Sequence, residues 1–461
     1  MSRSLGLFCL IVAFTIVADA APYQPISLTH SLKSARDIDR RVMSPVDVER
    51  YKAEDPSREV RGLPPRFAIP IRVRITPNDA GTWERLDSST SVWRLRIISP
   101  GALSLNLGFT KYKMPEGGRL LFYPTNYRGH NPENLRVFTD ADNEKHRQLW
   151  TPIVFSDDVM IEVVVPTSKR DQLRLRLTSV NHDYRGFGRF RDQNIHTAGT
   201  SGSCNVDVVC PEGNPYQSQI RSVGVYSLGG GLFCTGSLVN NTAQDQKMYF
   251  LTANHCGLSS NNAASLVVYW NYQNSFCRPV GSGASGSDGD GTLTQFQTGS
   301  FYRAGYSKSD FTLVELDDAP SPTFNVFWSG WDRSSGDFSS AEGIHHPNTA
   351  EKRISLSNTS TTTTSWGRPR VPGDGSHIHV FWVPGIGVTE PGSSGSPLYS
   401  PQGRVIGQLH GGPSACNASD KSDYYGRVSV SWDKSNKAGQ RLREWLDPLN
   451  TGVVTINGIT Q

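Results

Sequence analysis

The sequence predicts an all-β protein built as two successive β regions, and three observations carry that expectation. Glycine and proline are abundant, 44 and 28 of 461 residues, which favours a chain that turns often. Apolar residues recur on alternate positions through residues 67–177 with arginines between them, as in Ile71-Arg72-Val73-Arg74-Ile75 and Leu173-Arg174-Leu175-Arg176-Leu177. That period of two belongs to half-buried antiparallel strands, and a small β-sandwich follows. Beyond Cys204 the apolar runs are short and divided by turns, for example Met248-Tyr249-Phe250-Leu251, Phe311-Thr312-Leu313-Val314 and Val405-Ile406-Gly407-Gln408-Leu409. Residues 21–62 show some helical spacing, as in Val46-Asp47-Val48-Glu49-Arg50-Tyr51; beyond Cys204 it surfaces only near the end, at Leu442, Trp445 and Leu446 before Pro448, so two β-barrels closed by a C-terminal helix fit residues 199–461.

Length alone calls for two or three domains. Residues 1–20 place Arg3 before an apolar run from Leu5 to Val17 and end in Ala18-Asp19-Ala20, the pattern of a secretory signal cut after Ala20. No later stretch is long and apolar enough to span a bilayer, and a soluble extracellular product is expected. Cys9 leaves with the signal; Cys204, Cys210, Cys234, Cys256, Cys277 and Cys416 stay. An even number in a secreted chain argues for three disulfides, with the pairing open.

The net charge of +4 hides an asymmetry: residues 21–198 carry 28 Lys and Arg against 21 Asp and Glu, residues 199–461 carry 17 against 20. Such regions attract one another. The basic residues are scattered and not clustered with aromatics, which argues against nucleic acid. Residues 181–202, rich in Gly and Arg, read as an exposed linker open to proteolysis.

The candidate chemistry centres on Gly392-Ser393-Ser394-Gly395. Such a turn can present a hydroxyl beside backbone N–H groups, giving a nucleophile and donors for an oxyanion in one loop. His255, in Thr252-Ala253-Asn254-His255-Cys256 at the end of an apolar run, is a candidate general base. Asp288-Gly289-Asp290-Gly291 lacks the distal Glu of a calcium loop, and Gly229-Gly230-Gly231 lacks the Lys-Ser/Thr ending of a phosphate loop. His345, His346, His377 and His379 form an alternative zinc set, without a convincing carboxylate or thiolate beside them. No metal or other cofactor is expected.

The order His255, Asp310, Ser394 is that of the chymotrypsin-type triad. Cys234-Thr235-Gly236-Ser237-Leu238-Val239, Leu251-Thr252-Ala253-Asn254-His255-Cys256, Ser309-Asp310-Phe311-Thr312-Leu313 and Gly392-Ser393-Ser394-Gly395-Ser396-Pro397 resemble the segments that carry it. From Gly199 to about Leu449 the chain resembles the bacterial lysyl endopeptidases, on runs such as Val268-Tyr269-Trp270-Asn271-Tyr272, Ile344-His345-His346-Pro347 and Gly407-Gln408-Leu409-His410-Gly411-Gly412. The resemblance implies a chymotrypsin-like double β-barrel with a C-terminal helix, preceded by a β-sandwich-like propeptide: signal peptide 1–20, propeptide 21–198, protease domain 199–461.

It further implies a secreted, monomeric serine endopeptidase made as a preproenzyme. It would cut polypeptides after lysine, its own propeptide acting as folding aid and inhibitor, with no nucleic-acid or membrane partner. His255, Asp310 and Ser394 would be the triad and the N–H groups of Gly392 and Ser394 the oxyanion hole. Asp423 would select the lysine, because the position six before the nucleophile, acidic in trypsin-like relatives, is Val388. Trp366 stacked on His410 would flank the substrate. The implied bridges are Cys204 with Cys416, Cys210 with Cys277 and Cys234 with Cys256.

Three departures shape the reading. Ser393 stands where relatives of chymotrypsin carry the Asp that pairs with a new N-terminus, so activation is expected to follow propeptide release and not an N-terminal ion pair. Asn254 replaces a second histidine, its side chain expected to point away. No lysine directly precedes Gly199, the nearest upstream arginine being Arg191 and the nearest lysine Lys169. The rivals are a trypsin-like protease accepting both Arg and Lys, and a catalytically silent protease-like binding module.

Overall fold

A computed structural model describes residues 23–188, 201–367 and 371–461. The expected signal peptide, residues 1–20, and the expected start at Gly199 lie outside the described residues.

In the first region the alternating pattern folds into two facing sheets. One holds Arg40–Val42, Thr90–Ile98, Asp158–Pro166, Arg119–Pro124 and Arg136–Thr139 in that spatial order, with Thr82–Arg85 also paired to Thr90–Ile98. The other runs Ala68–Ile75, Arg174–Asp183, Leu105–Lys113, Leu149–Trp150. Trp93, Leu95 and Ile97, Leu105, Leu107 and Phe109, and Ile161, Val163 and Val165 meet between the sheets, each set at every second position. The opposite face of the first sheet is also covered: Val92, Leu121, Tyr123 and Val164 pack with Ile38, which is why that sheet is less polar outside than simple alternation predicts.

A helix, α1 (Val48–Val60), lies between the strands Arg40–Val42 and Ala68–Ile75; Asp47 caps it by accepting from Arg50 N at 3.1 Å. Its acidic face is held by Arg66, whose guanidinium meets Glu54 at 3.0 Å and Asp55 at 2.7 Å.

The second region forms two β-barrel sheets. The first contains Val223–Leu228, β1 (Leu232–Leu238), β2 (Tyr249–Ala253) and β3 (Phe311–Leu316), flanked by Val267–Tyr269, Phe296–Thr298 and Ser300–Tyr306. The second contains β4 (His377–Phe381), β5 (Val405–Gly411) and β6 (Ser422–Arg427), with Ala341–His345, Arg353–Ser357 and Pro397–Tyr399 among its other strands. Tyr249, Leu251, Phe311 and Leu313 share a core with Ile344, Ile354, Tyr399 and Val405, so the two sheets are packed against one another. Three disulfides join Cys204 to Cys416, Cys210 to Cys277 and Cys234 to Cys256.

The C-terminal helix is present as a single turn, Arg443–Leu446, ended before Pro448; Leu442 and Leu446 are buried, and the chain runs on into Thr455–Ile456 and Ile459–Thr460. One expectation needs correction: the linker does not begin at residue 181. Asn181–Asp183 finish a strand, and the buried Asp183 carboxylate turns the chain by accepting from Ser104 Oγ (2.6 Å), Gly186 N (2.7 Å) and Phe187 N (3.0 Å). The polar composition that suggested exposure marks a buried, satisfied carboxylate.

The sandwich and the first barrel share a core. Phe67, Ile153 and Phe187 of the sandwich cluster with Val225, Phe233, Tyr269 and Leu293 of the barrel. Arg66 pairs antiparallel with Leu232; Phe67 N donates to Gly231 O (2.8 Å) and Phe233 N to Pro65 O (3.1 Å). The chain just before Ala68–Ile75 thus extends the sheet at β1.

Candidate active site

Antiparallel pairing of β2 with β3 sets Ala253 opposite Phe311, so the residues just past one strand and just before the other meet. Asp310 lies there with φ of 54°, a left-handed conformation that Asp adopts more readily than bulkier residues. It holds His255 twice: Oδ1 accepts from the backbone N at 2.9 Å and Oδ2 from Nδ1 at 2.8 Å. Donating from Nδ1 leaves Nε2 as the basic nitrogen. The Cys234–Cys256 bridge anchors the next residue to β1. Asn254 turns to Thr312 Oγ1, 3.1 Å away.

Ser394 lines one open cleft together with His255, Gly392, Trp366, His410 and Gly412. Its loop is tied to β1 by Thr235, whose N–H donates to Ser394 O (2.9 Å) and whose hydroxyl donates to Gly392 O (2.9 Å). Gly392 and Gly395 have φ of 92° and 83°; a Cβ at Gly395 would fall 2.2 Å from Thr252 Oγ1, one at Gly392 2.3 Å from the Phe233 ring. Only glycine fits either place. Ser393 N and Gly395 N are engaged with Glu390 O (3.0 Å) and Leu409 O (2.8 Å). Among the described residues the N–H groups of Gly392 and Ser394 have no acceptor, so two donors beside the hydroxyl are free.

His410 occupies a break in the pairing of β5 with β6, where Leu409 faces Tyr425 and Gly411 faces Tyr424. The extra residue turns its ring into the cleft, 5.2 Å from His255 and 3.6 Å from Trp366, almost parallel to the indole. Burial pushes the His410 imidazole down to about 3, so it is neutral at ordinary pH and adds no charge beside His255. His377 Nε2 lies 3.0 Å from His410 Nδ1, and Ser376 Oγ 2.7 Å from His377 Nδ1, fixing the pair.

Asp423, the second residue of β6, is fully buried under Gly412, where an added Cβ would lie 2.3 Å from its Oδ1. Trp382 Nε1 (2.5 Å), Ser414 Oγ (2.7 Å) and Thr389 Oγ1 (2.9 Å) all donate to Oδ2. Oδ1 is buried and has no hydrogen-bond partner among the described residues. Burial raises the carboxyl to about 6 against the pull of those donors. Val388 is buried and apolar.

The four histidines weighed as a zinc set are not gathered. His345 lies against Ser393 and Ser355, His346 against Ala350 O, His377 on His410 and His379 on the Tyr424 ring. Sequence reasoning did not find Trp382, Thr389 or Ser414 as partners of Asp423. Each reaches it from another segment, and Thr389 lies five residues before Ser394.

Residues 198–426 match the family model "Lysyl endopeptidase, C-terminal domain", and residues 71–184 match "Lysyl endopeptidase N-terminal domain". Over 406 residues the chain is 30% identical to a lysyl endopeptidase of Pseudomonas aeruginosa, spanning 82% of this chain and 84% of that protein. The chain belongs to the lysyl endopeptidase family. It is a serine endopeptidase, and its family implies polypeptide substrates and a propeptide-like N-terminal domain. Among solved structures it is similar to the thermostable serine protease AL20 from an extremophilic microorganism (TM-score 0.33, 13% identity, 46% of this chain and 92% of that one). It is also similar to the HtrA-type protease AlgW (TM-score 0.32, 13% identity, 47% and 60%). No described helix of this family member is long and apolar enough to cross a membrane.

Proposed function

We propose that this endopeptidase is secreted as a preproenzyme and cuts on the carboxyl side of lysine. Ser394 Oγ attacks the scissile carbonyl while His255 Nε2 takes its proton; the imidazolium then gives that proton to the departing amine, and water repeats the sequence on the acyl-enzyme. Asp310 keeps the ring in the required tautomer and balances its charge. The N–H groups of Gly392 and Ser394 receive the oxyanion, each such donor being worth about 2.7–4 kcal/mol of barrier.

The single observation that carries the lysine reading is the half-saturated Asp423. Three donors occupy Oδ2 and leave Oδ1 alone facing the pocket wall at Gly412. One free oxygen suits a compact ammonium; a guanidinium needs both oxygens for its fork and finds one taken. Trp366 on His410 supplies a flat apolar wall for the lysine stem or the neighbouring substrate residues.

The sandwich acts as inhibitor and folding template. Residues 59–63 and Pro65 line the cleft that holds His255 and Ser394, and Phe67 and Phe187 complete a core with Phe233 and Tyr269 of the barrel. No lysine lies in residues 59–66, and Pro64-Pro65 follows Leu63, so the segment blocks the cleft without being a good substrate. Digestion of a mixed proteome by the purified mature enzyme, read by mass spectrometry, tests the assignment. A preference for Lys over Arg below about tenfold, which is about 1.4 kcal/mol, rejects it in favour of a dual trypsin-like specificity. Activity surviving Ser394→Ala rejects the mechanism.

A further inference from the structure

Glu390 is a half-buried acid in the nucleophile loop for which the proposed mechanism has no use, and it receives four hydrogen bonds from three residues. Gly202 N donates to both oxygens, at 2.9 Å and 3.2 Å; Asn205 Nδ2 reaches Oε1 at 2.9 Å and Asn348 Nδ2 reaches Oε2 at 2.8 Å. The approach at Gly202 is close enough to demand glycine. A Cβ there would fall 2.6 Å from Glu390 Oε1 and 2.4 Å from Cys416 Sγ. Its neighbour Cys204 is bonded to Cys416, and Cys204 O accepts from Gly387 N at 3.1 Å, so the first residues of the catalytic region run beside the loop.

From Glu390 the connection to the reacting end of the loop is short. Glu390 O accepts from Ser393 N (3.0 Å), Glu390 N donates to Ser393 Oγ (3.3 Å), and that hydroxyl also meets His345 Nδ1 (2.8 Å). Asn348 grips the loop a second time, its N–H donating to Pro391 O at 2.7 Å. Residues 390, 391 and 393 and the Gly392 carbonyl are therefore tied down while the N–H groups on either side of Ser393 stay free. A serine at position 393 cannot form the ion pair that an acid there would make, yet an acid three residues earlier is already paired with the start of the domain.

We propose that Glu390 is a positioning residue that uses the backbone amide of Gly202, and not a terminal amine, to hold the Gly392–Ser394 donors in place. The start of the catalytic domain then supports the oxyanion loop before and after the sandwich is removed. This rests on the reading that those two N–H groups receive the oxyanion.

The test uses mature enzyme carrying Glu390→Gln, whose amide offers two donors where only acceptors are wanted. Misplaced loop donors lower kcat per active site about ten- to a hundredfold, with KM for a lysyl ester within about threefold and phosphonate labelling of Ser394 slowed by the same factor as kcat. A kcat within twofold of the parent overturns the proposal, as does a lower unfolding temperature with unchanged kcat per titrated site. Should that variant fail to fold, Asn205→Ala with Asn348→Ala removes two of the donors and keeps the acid; a fall in kcat of about threefold or more supports the proposal and an unchanged kcat overturns it. Acetylation of the mature amino terminus leaves turnover intact, because the contact is an amide within the chain; a large loss overturns it. Ser394→Ala, run in parallel, separates this from the mechanism itself: activity there rejects the catalytic reading, whereas an inactive Ser394→Ala beside a fully active Glu390→Gln rejects only the role of Glu390.

Discussion

Replacing Asp423 with Asn isolates the electrostatic part of lysine selection. The amide can keep its oxygen toward Trp382, Ser414 and Thr389, which all donate, and turn its NH2 to the side where Oδ1 now stands unpaired. The fold is thereby preserved while the charge goes. Removing one partner of a buried, hydrogen-bonded charge pair costs about 2–5 kcal/mol, so kcat/KM for a lysyl substrate falls roughly thirtyfold to several thousandfold. The uncharged isostere norleucine is affected far less. The assay is the ratio of kcat/KM for matched lysyl and norleucyl substrates, in which any pH dependence common to both cancels. The wild-type ratio also depends on pH with a definite sign: because burial raises the Asp423 carboxyl to about 6, the preference is full well above that pH and shrinks as the pH drops through it. A ratio unchanged by Asp423→Asn, or flat from pH 8 to pH 5, refutes the reasoning and moves the lysine site elsewhere.

Thr389→Val removes one of the three donors to Oδ2, so the Arg-to-Lys ratio rises severalfold, by about 1 kcal/mol; proteome digestion reads it, and an unchanged ratio contradicts the half-saturated carboxylate as the reason for choosing lysine. Gly395→Ala drives a methyl into Thr252 Oγ1 at a positive φ, and about 1–2 kcal/mol of backbone strain plus the clash lowers both yield and kcat; a fully active enzyme would show that the loop relaxes freely. Leu63→Lys with Pro64→Ala gives the blocking segment a cleavable bond, so self-processing becomes at least tenfold faster on gel time courses and depends on Ser394. The contact between sandwich and barrel weakens as pH rises through about 7. There Asp142, Glu144 and His146 face Asp317 and Asp318, and burial with the neighbouring carboxylates raises Asp318 to about 7. Its ordinary value returns on separation, so joining takes up a proton, favoured at acid pH and lost above about 7. Gel filtration of the processed but unseparated pair from pH 5 to pH 9 checks this, and dissociation on acidification would reverse the sign.

Much of the fold was legible because it depends on local pattern. Alternation at Trp93, Leu95 and Ile97 or Ile161, Val163 and Val165 needs only a period of two, and the flanks of His255, Asp310 and Ser394 were specific as written. The buried face of Val92, Leu121 and Val164 was less legible, since a segment from elsewhere in the chain covers it. The linker was misread because Asp183 looks like exposed polarity until its partners are in place. The spacing of Leu442, Trp445 and Leu446 placed the C-terminal helix but does not set its length, since it fits one turn as well as several.

By itself the sequence determined the alternation of strands and turns and their order, and it named the candidate reactive groups, since propensity, turn chemistry and motif spacing act over a few residues. Only the tertiary structure decided which groups share an environment: that Asp423 keeps one oxygen free, that His410 is neutral beside His255, and that Glu390 reaches back to Gly202 across 188 positions. Those properties come from burial and from donors brought by distant strands, and neither is written in the residues on either side.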